Sequence, residues 1–190
     1  SGLATPSFRG TSAGHTQVYW NGVSLNSPTL GQVDFSLFPV GLSDQVNVLY
    51  GAASLAEGVG GFGGAIQLNT KVSQDSVPKL SFSQAVASFE TFKSTLNFEF
   101  GNQKVKSSSK LVYKSAKNQF PYTFKNQKYT QSNASILQYG LLQEIYVFPT
   151  SNQYLAARIW FQKSDRQIPP TILVTKNNEK HYTIREKLNF

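Results

Sequence analysis

Across residues 92–100 the chain alternates with period two. Phe92, Leu96, Phe98 and Phe100 fall on one side, with Ser94 the weak member, and Lys93, Thr95, Asn97 and Glu99 fall on the other. Only a strand puts every second side chain on one face, so the segment predicts a β-strand with one apolar face. Residues 155–161 repeat the pattern, with Leu155, Ala157, Ile159 and Phe161 against Ala156, Arg158 and Trp160. Residues 137–147 follow it less cleanly, through Leu137, Tyr139, Leu141, Ile145 and Val147, interrupted by Gln143. Residues 80–86 and 105–114 alternate weakly and carry much serine and alanine. A chain built this way must cover one apolar sheet face, either with a second sheet or with lipid.

The connections help to choose between these. Gly101, Asn102, Gln103 and Lys104 form a tight polar turn, as do Pro149, Thr150, Ser151 and Asn152. A long polar and aromatic stretch runs from 114 to 133, and another, rich in Pro and Asn, from 164 to about 180. Short turns alternating with longer loops suit an up-and-down transmembrane barrel. A soluble sandwich has no reason for strict alternation. The hairpin at 88–91 falls on the long-loop side yet is short, which runs against the pattern. Phe89, Phe92, Phe98, Phe100, Tyr146, Phe148 and Tyr154 lie near strand ends. Such aromatics form membrane girdles in barrels and ordinary cores in soluble sheets, and spacing leaves both open.

The first third differs in composition. Six of the fourteen positions from Gly51 to Gly64 are glycine, whereas beyond Lys71 only Gly101 and Gly140 remain. Residues 1–70 carry a net charge of −2, with Arg9 the one cation, and residues 71–190 carry +10. Residues 72–78 read as a short polar linker ending at a proline. The expected organisation is therefore 1–71, a linker at 72–78, and a strand-rich part at 79–190. The basic half first suggests nucleic acid, but its lysines are dispersed along strand-like segments. A solvated strand face accounts for them, and no nucleic-acid partner is expected. No run of about 18 apolar residues exists, so no transmembrane helix is expected; this leaves barrels untouched.

Chemistry finds little to stand on. Cysteine is absent, which excludes disulfides, thiolate metal sites and a cysteine nucleophile. Gly58, Gly60 and Gly63 spell G-x-G-x-x-G, but the residues that follow, Ala65 to Thr70, alternate like a strand, where a dinucleotide site needs a helix. No P-loop lysine and no G-x-S-x-G elbow is present. His15 sits in a loop-like stretch, and Asp44 and Glu57 have no evident partner. Asn133, Ala134 and Ser135 form a sequon that chance explains. No enzyme, cofactor or metal is expected. The glycine cluster reads instead as backbone that turns tightly or approaches other backbone closely.

Several blocks resemble a known family. Phe8, Arg9, Gly10 and Thr11, followed by residues 17–26 (QVYWNGVSLN), resemble the R-G box and strand-turn of TonB-dependent outer-membrane receptor plugs. Residues 35–39 (FSLFP), 46–54 (VNVLYGAAS) and 58–70 resemble the three blocks that follow in that order. Residues 88–91 resemble the first barrel hairpin, and residues 120–124 and 165–169 resemble loop motifs of the vitamin B12-receptor-like branch. The family's Asp of D-G is Asn21 here, and its usual charges around the third block are Gln45, Asn47 and Tyr50. That places a charge-locked plug–barrel contact at this block in doubt, with neutral hydrogen bonds as the replacement.

The resemblance implies a mainly β protein: part of a 22-stranded antiparallel transmembrane β-barrel, preceded by part of an α+β plug. It implies an outer-membrane receptor that binds a scarce nutrient (siderophore, cobalamin, glycan or peptide) and imports it through a plugged pore in a Gram-negative bacterium. Its partners would be a TonB-type energising protein, a small nutrient ligand and outer-membrane lipid. Asn26, Ser27, Pro28, Thr29, Leu30, Gly31 and Gln32 would form a substrate-facing plug loop. Phe120, Tyr122 and Phe124 would be loop contacts. Arg9, Gly10, Gly51, Gly58, Gly60, Gly61, Gly63 and Gly64 would serve plug structure or gating. Residues 79–190 supply roughly six strands at about ten residues each, so the chain reads as a fragment, without the start of the plug or the TonB box, that would aggregate or need detergent. The rival is a soluble, secreted β-rich binding module, for example for carbohydrate.

Overall fold

The computed structural model describes residues 4–8, 10–50, 63–73, 76–150 and 153–169, and the backbone of 180–189. The chain divides into two units, residues 2–71 and residues 72–190.

The N-terminal unit holds four strands, β1 (Thr16–Trp20), β2 (Val23–Ser24), β3 (Gln45–Leu49) and β4 (Gly64–Asn69), in the order β2-β1-β4-β3. β1 and β4 are parallel and the other pairs antiparallel. Asn21 and Gly22 join β1 to β2 with φ of 45° and 83°, the pair of left-handed residues that a two-residue hairpin turn needs. Asn21 also clamps the far end of the sheet: its Nδ2 donates to Thr70 Oγ1 at 2.9 Å and its Oδ1 accepts from Thr70 N at 3.0 Å. An aspartate here could only accept. Every second residue of β1 is buried, and the register sets Val18 beside Ile66 and Trp20 beside Leu68. Leu25, Val33, Leu37, Phe38 and Leu42 complete the buried set. The α part of the expected α+β unit is represented, among the described residues, only by 3-10 turns at Ala13–His15, Phe35–Leu37 and Val40–Leu42. At β3 the neutral substitutes bond each other, Gln45 Nε2 donating to Asn47 Oδ1 at 2.6 Å.

The described end of the glycine cluster has a steric reason. A Cβ on Gly63 would strike the Thr11 hydroxyl and stand 3.1 Å from His15 O. Gly64 has φ +154°, and a Cβ there would lie 2.7 Å from the Phe8 ring and 3.0 Å from Leu49 O. Gly10 has φ +76° in open space. Arg9, Gly51, Gly58, Gly60 and Gly61 lie outside the described residues.

The second unit is an antiparallel meander of β5 (Lys79–Ala87), β6 (Thr91–Gly101), β7 (Val105–Ala116), β10 (Ile136–Thr150), β11 (Gln153–Gln167) and β12 (Lys180–Asn189), in the order β12-β11-β10-β7-β6-β5. β10 and β11 have 15 residues each, about 50 Å of extended chain. The stretch from 114 to 133, expected to be a loop, is a correction. β7 runs on to Ala116, and a separate hairpin, β8 (Pro121–Phe124) with β9 (Gln127–Thr130), stands within the β7–β10 connection. Lys125 and Asn126 turn it with φ of 48° and 62°. Tyr122 and Tyr129 pair across it, their rings stacked with centroids 5.5 Å apart, within the roughly 4.5–7 Å of aromatic pairs.

Candidate functional site

The six-stranded sheet has its polarity inverted. The register aligns Lys106, Ser108, Lys110, Gln138, Glu144, Gln162, Ser164 and Arg166 on one face, and all eight are buried. Leu142, Tyr146 and Trp160 share that face and are buried too. The opposite face carries Leu80, Phe82, Phe98, Leu111, Tyr139, Ile145, Leu155 and Ile159, all exposed. Lys110 is 1% exposed whereas Ile159 is 53% exposed. In water this order is unfavourable, since each apolar side chain left exposed forgoes about 1.5–3 kcal/mol of burial.

Several polar members of the apolar face bond across strands. Gln143 lies between Ser107 and Ser109, its Nε2 donating to Ser107 Oγ at 2.9 Å and its Oε1 accepting from Ser109 Oγ at 2.5 Å. Ser94 Oγ likewise donates to Gln84 Oε1 at 2.5 Å. Such pairing suits a medium that offers no hydrogen bonds.

On the polar face the charges are organised around Glu144. Its Oε1 accepts from Arg158 Nε at 3.1 Å and from the Tyr146 hydroxyl at 2.9 Å. The guanidinium stands 5.3 Å over the Tyr146 ring. Glu144 is fully buried, where an uncompensated carboxylate would cost several kcal/mol. Lys106 Nζ donates to Ser73 O at 2.6 Å and so ties the 72–78 segment to β7.

A cavity of about 420 Å³ opens at the end of the sheet that bears the long connections, lined by Asn118, Phe120, Gln131, Ile136, Arg166 and Gln167 among others. Its walls are tied by Asn118 Nδ2 to Ala134 O at 2.9 Å, Gln131 N to Phe120 O at 2.9 Å and Asn133 Nδ2 to Ile168 O at 2.7 Å. Asn118 and Asn133 take left-handed φ of 54° and 49°, which asparagine tolerates better than most residues. The Lys117 ammonium pairs with Glu90 at 2.7 Å, and the Phe89 and Phe120 rings meet edge-on at 6.1 Å. Of the three expected loop contacts, Phe120 lines this cavity, while Tyr122 and Phe124 stand on the hairpin. Arg166 lies in the 165–169 loop motif of the resemblance, which assigns it no contact; continuing the alternation of β11 to Gln167 places it on the polar face.

In the N-terminal unit the loop from Asn26 to Gln32 divides its labour. Asn26 is spent on shape: Oδ1 accepts from Val18 N at 2.8 Å, and Nδ2 donates to Thr16 O at 2.9 Å and Gly31 O at 2.8 Å. Ser27 Oγ bonds Thr29 Oγ1 at 3.1 Å and accepts from Leu30 N at 3.3 Å, and Ser27 N donates to Gln32 O at 3.1 Å. Gly31 turns the chain with φ +66°. Pro28, Thr29 and Leu30 are exposed at the tip. The loop is a self-bonded knuckle that presents these three outward.

Residues 1–65 match the family model described as the TonB-dependent Receptor Plug Domain. No curated protein matches the chain.

Proposed function

We propose, with a plug-like N-terminal unit as premise, that this chain is part of a TonB-dependent receptor of a Gram-negative outer membrane, which captures a scarce nutrient and imports it to the periplasm. In this reading residues 2–71 belong to the plug, and the six-stranded sheet is an arc of a 22-stranded barrel. The apolar face meets lipid and the polar face lines the lumen. The finer placement, in the vitamin B12-receptor-like branch, rests on the loop motifs at 120–124 and 165–169 alone.

The observation that carries the reading is the inverted sheet. Apolar residues face outward over β5, β6, β7, β10 and β11, and the polar exceptions Gln84 and Ser94, and Gln143, Ser107 and Ser109, bond one another. A transmembrane barrel requires this order; a soluble sandwich requires its reverse. Orientation follows from the connections. The β6–β7 and β10–β11 turns are short and would be periplasmic, so the β7–β10 and β11–β12 connections would be extracellular. Among the described residues no helix is long and apolar enough to cross a membrane, so strands would do the crossing.

A plug blocks free diffusion, so passage needs work. The TonB-type partner would supply it by pulling on the plug, and the exposed tip at Pro28, Thr29 and Leu30 would meet ligand from the lumen side. The test is fractionation of cells that express the full receptor. The protein is expected in outer membranes, extractable only with detergent, and needed for growth on the limiting nutrient. Recovery as a clean monomer in aqueous buffer would overturn the reading and favour the soluble β-rich binding module.

A further inference from the structure

We propose that the 420 Å³ cavity beneath the β7–β10 connection is a subsite for an acidic group of the ligand, with Arg166 as the residue that holds it. The inference rests on the receptor reading above and narrows it to ligands bearing a carboxylate or phosphate beside a flat apolar portion.

Three observations converge. Arg166 is 8% exposed and lines the cavity. It sits in register with Ile136 on β10, on the polar face, so a strand of the rigid sheet carries it. Second, among the described residues the cavity lining contains no Asp or Glu. The β7–β10 connection beside it, residues 117–135, contains no acid; of its lysines, Lys117 pairs with Glu90, and Lys125 and Lys128 add positive charge. Asp165 precedes Arg166 on β11 and therefore points to the opposite face. A site of this charge favours anions, and a guanidinium recognises carboxylate or phosphate through paired, planar hydrogen bonds. Third, the remaining lining suits the rest of such a ligand. Phe120 offers a ring for stacking, and Asn118, Gln131 and Gln167 offer amides that bond in either sense. The volume lies in the range of small-molecule sites.

The test uses the full receptor in detergent micelles and a matched pair of water-soluble probes, 4-hydroxybenzoate and 4-hydroxybenzamide, titrated calorimetrically at pH 7. The two share shape and differ in charge. The acid is expected to bind at least tenfold tighter than the amide. In Arg166→Gln the ratio should fall below threefold, and Arg166→Lys should restore part of it. Phe120→Ala should weaken both probes alike. Because Arg166 is buried and its loss could unfold the strand, Gln131→Glu provides the second test: a carboxylate placed in the wall should weaken the acid at least fivefold and leave the amide unchanged. Equal binding of the two probes, no binding of either at millimolar concentration, or an acid preference that survives both Arg166→Gln and Gln131→Glu would overturn the proposal. The same preparations, scored for outer-membrane residence, separate the two readings: loss of the acid preference in a membrane-resident receptor rejects only the ligand chemistry, whereas a soluble protein rejects the receptor.

Discussion

The two units use the same alternation to opposite ends. In β1 the apolar residues Val18 and Trp20 point to a dry interior and are 0% and 1% exposed. In β11 the apolar residues Leu155 and Ile159 point outward and are 68% and 53% exposed, while Arg166 and Gln162 are buried. Backbone geometry is common to both, since a strand only guarantees two faces. Which face turns inward depends on the medium. The N-terminal unit follows the order that water imposes; the meander follows the order that hydrocarbon would impose. Glycine usage follows the same division. The first unit packs backbone closely at Gly63 and Gly64, and the second buries long polar side chains such as Lys110 and Gln162 on one face of its sheet.

Trp20→Ala should break the water-type half most severely. It empties a large site in a closed core, and such truncations cost about 3–5 kcal/mol. Rapid proteolysis of the N-terminal unit, with the six-stranded sheet still protected, is the expected readout; unchanged protection would mean that this unit has no core of its own. Ile159→Lys addresses the other half. On a water-facing strand the change would be within about 0.5 kcal/mol. At the lipid midplane it should cost about 2–4 kcal/mol, read as failed membrane insertion or a lowered denaturant midpoint in micelles. A neutral result would erase the contrast between the units.

The legible part of this chain was set by period two. The alternation at 92–100 and 155–161 gave β6 and the centre of β11 because large apolar residues mark the face there. It also gave too little. β7 is stitched from serines and lysines, so hydropathy marks it faintly, although pairing on both sides fixes its register through Ser115. The β8–β9 hairpin was hidden because its turn is Lys125 and Asn126, without the glycine that usually announces such turns. The burial of Lys110 and Glu144 could not be read from residue type, since lysine and glutamate are ordinarily exposed. The burial of Arg166, which the 165–169 motif includes, was hidden for the same reason. Asn26 was legible as part of a loop but not as its brace, because its three backbone partners lie up to ten residues away.

Gly64→Val sharpens the comparison on the backbone side. The new side chain would meet the Phe8 ring and Leu49 O, at a φ that L-residues rarely adopt. Strained backbone of this kind costs about 1–3 kcal/mol, so the N-terminal unit should lose stability and ligand uptake should fall with it. Gly22, whose Cβ position is open, is the control: Gly22→Asn keeps a residue that tolerates left-handed φ and should leave uptake near normal.

The smallest expected effect is the most discriminating. Gln143 bonds Ser107 and Ser109 on the outward face. If that face is wet, water replaces either partner, and a double-mutant cycle of Gln143→Leu with Ser107→Ala plus Ser109→Ala should show no coupling. If it is dry, removing Gln143 leaves two hydroxyls without their partner, and removing all three restores a uniform apolar surface. Coupling of about 0.6–1.7 kcal/mol is then expected, the size measured for side-chain hydrogen bonds in membranes. The sign matters as much as the size. In lipid the triple substitution should be at least as stable as the parent, because apolar groups of similar shape replace a paired polar set. In water it should be no better than the single variants and should add to the exposed apolar surface. Unfolding midpoints in micelles give both quantities, and a coupling of zero would place this face in water despite its composition.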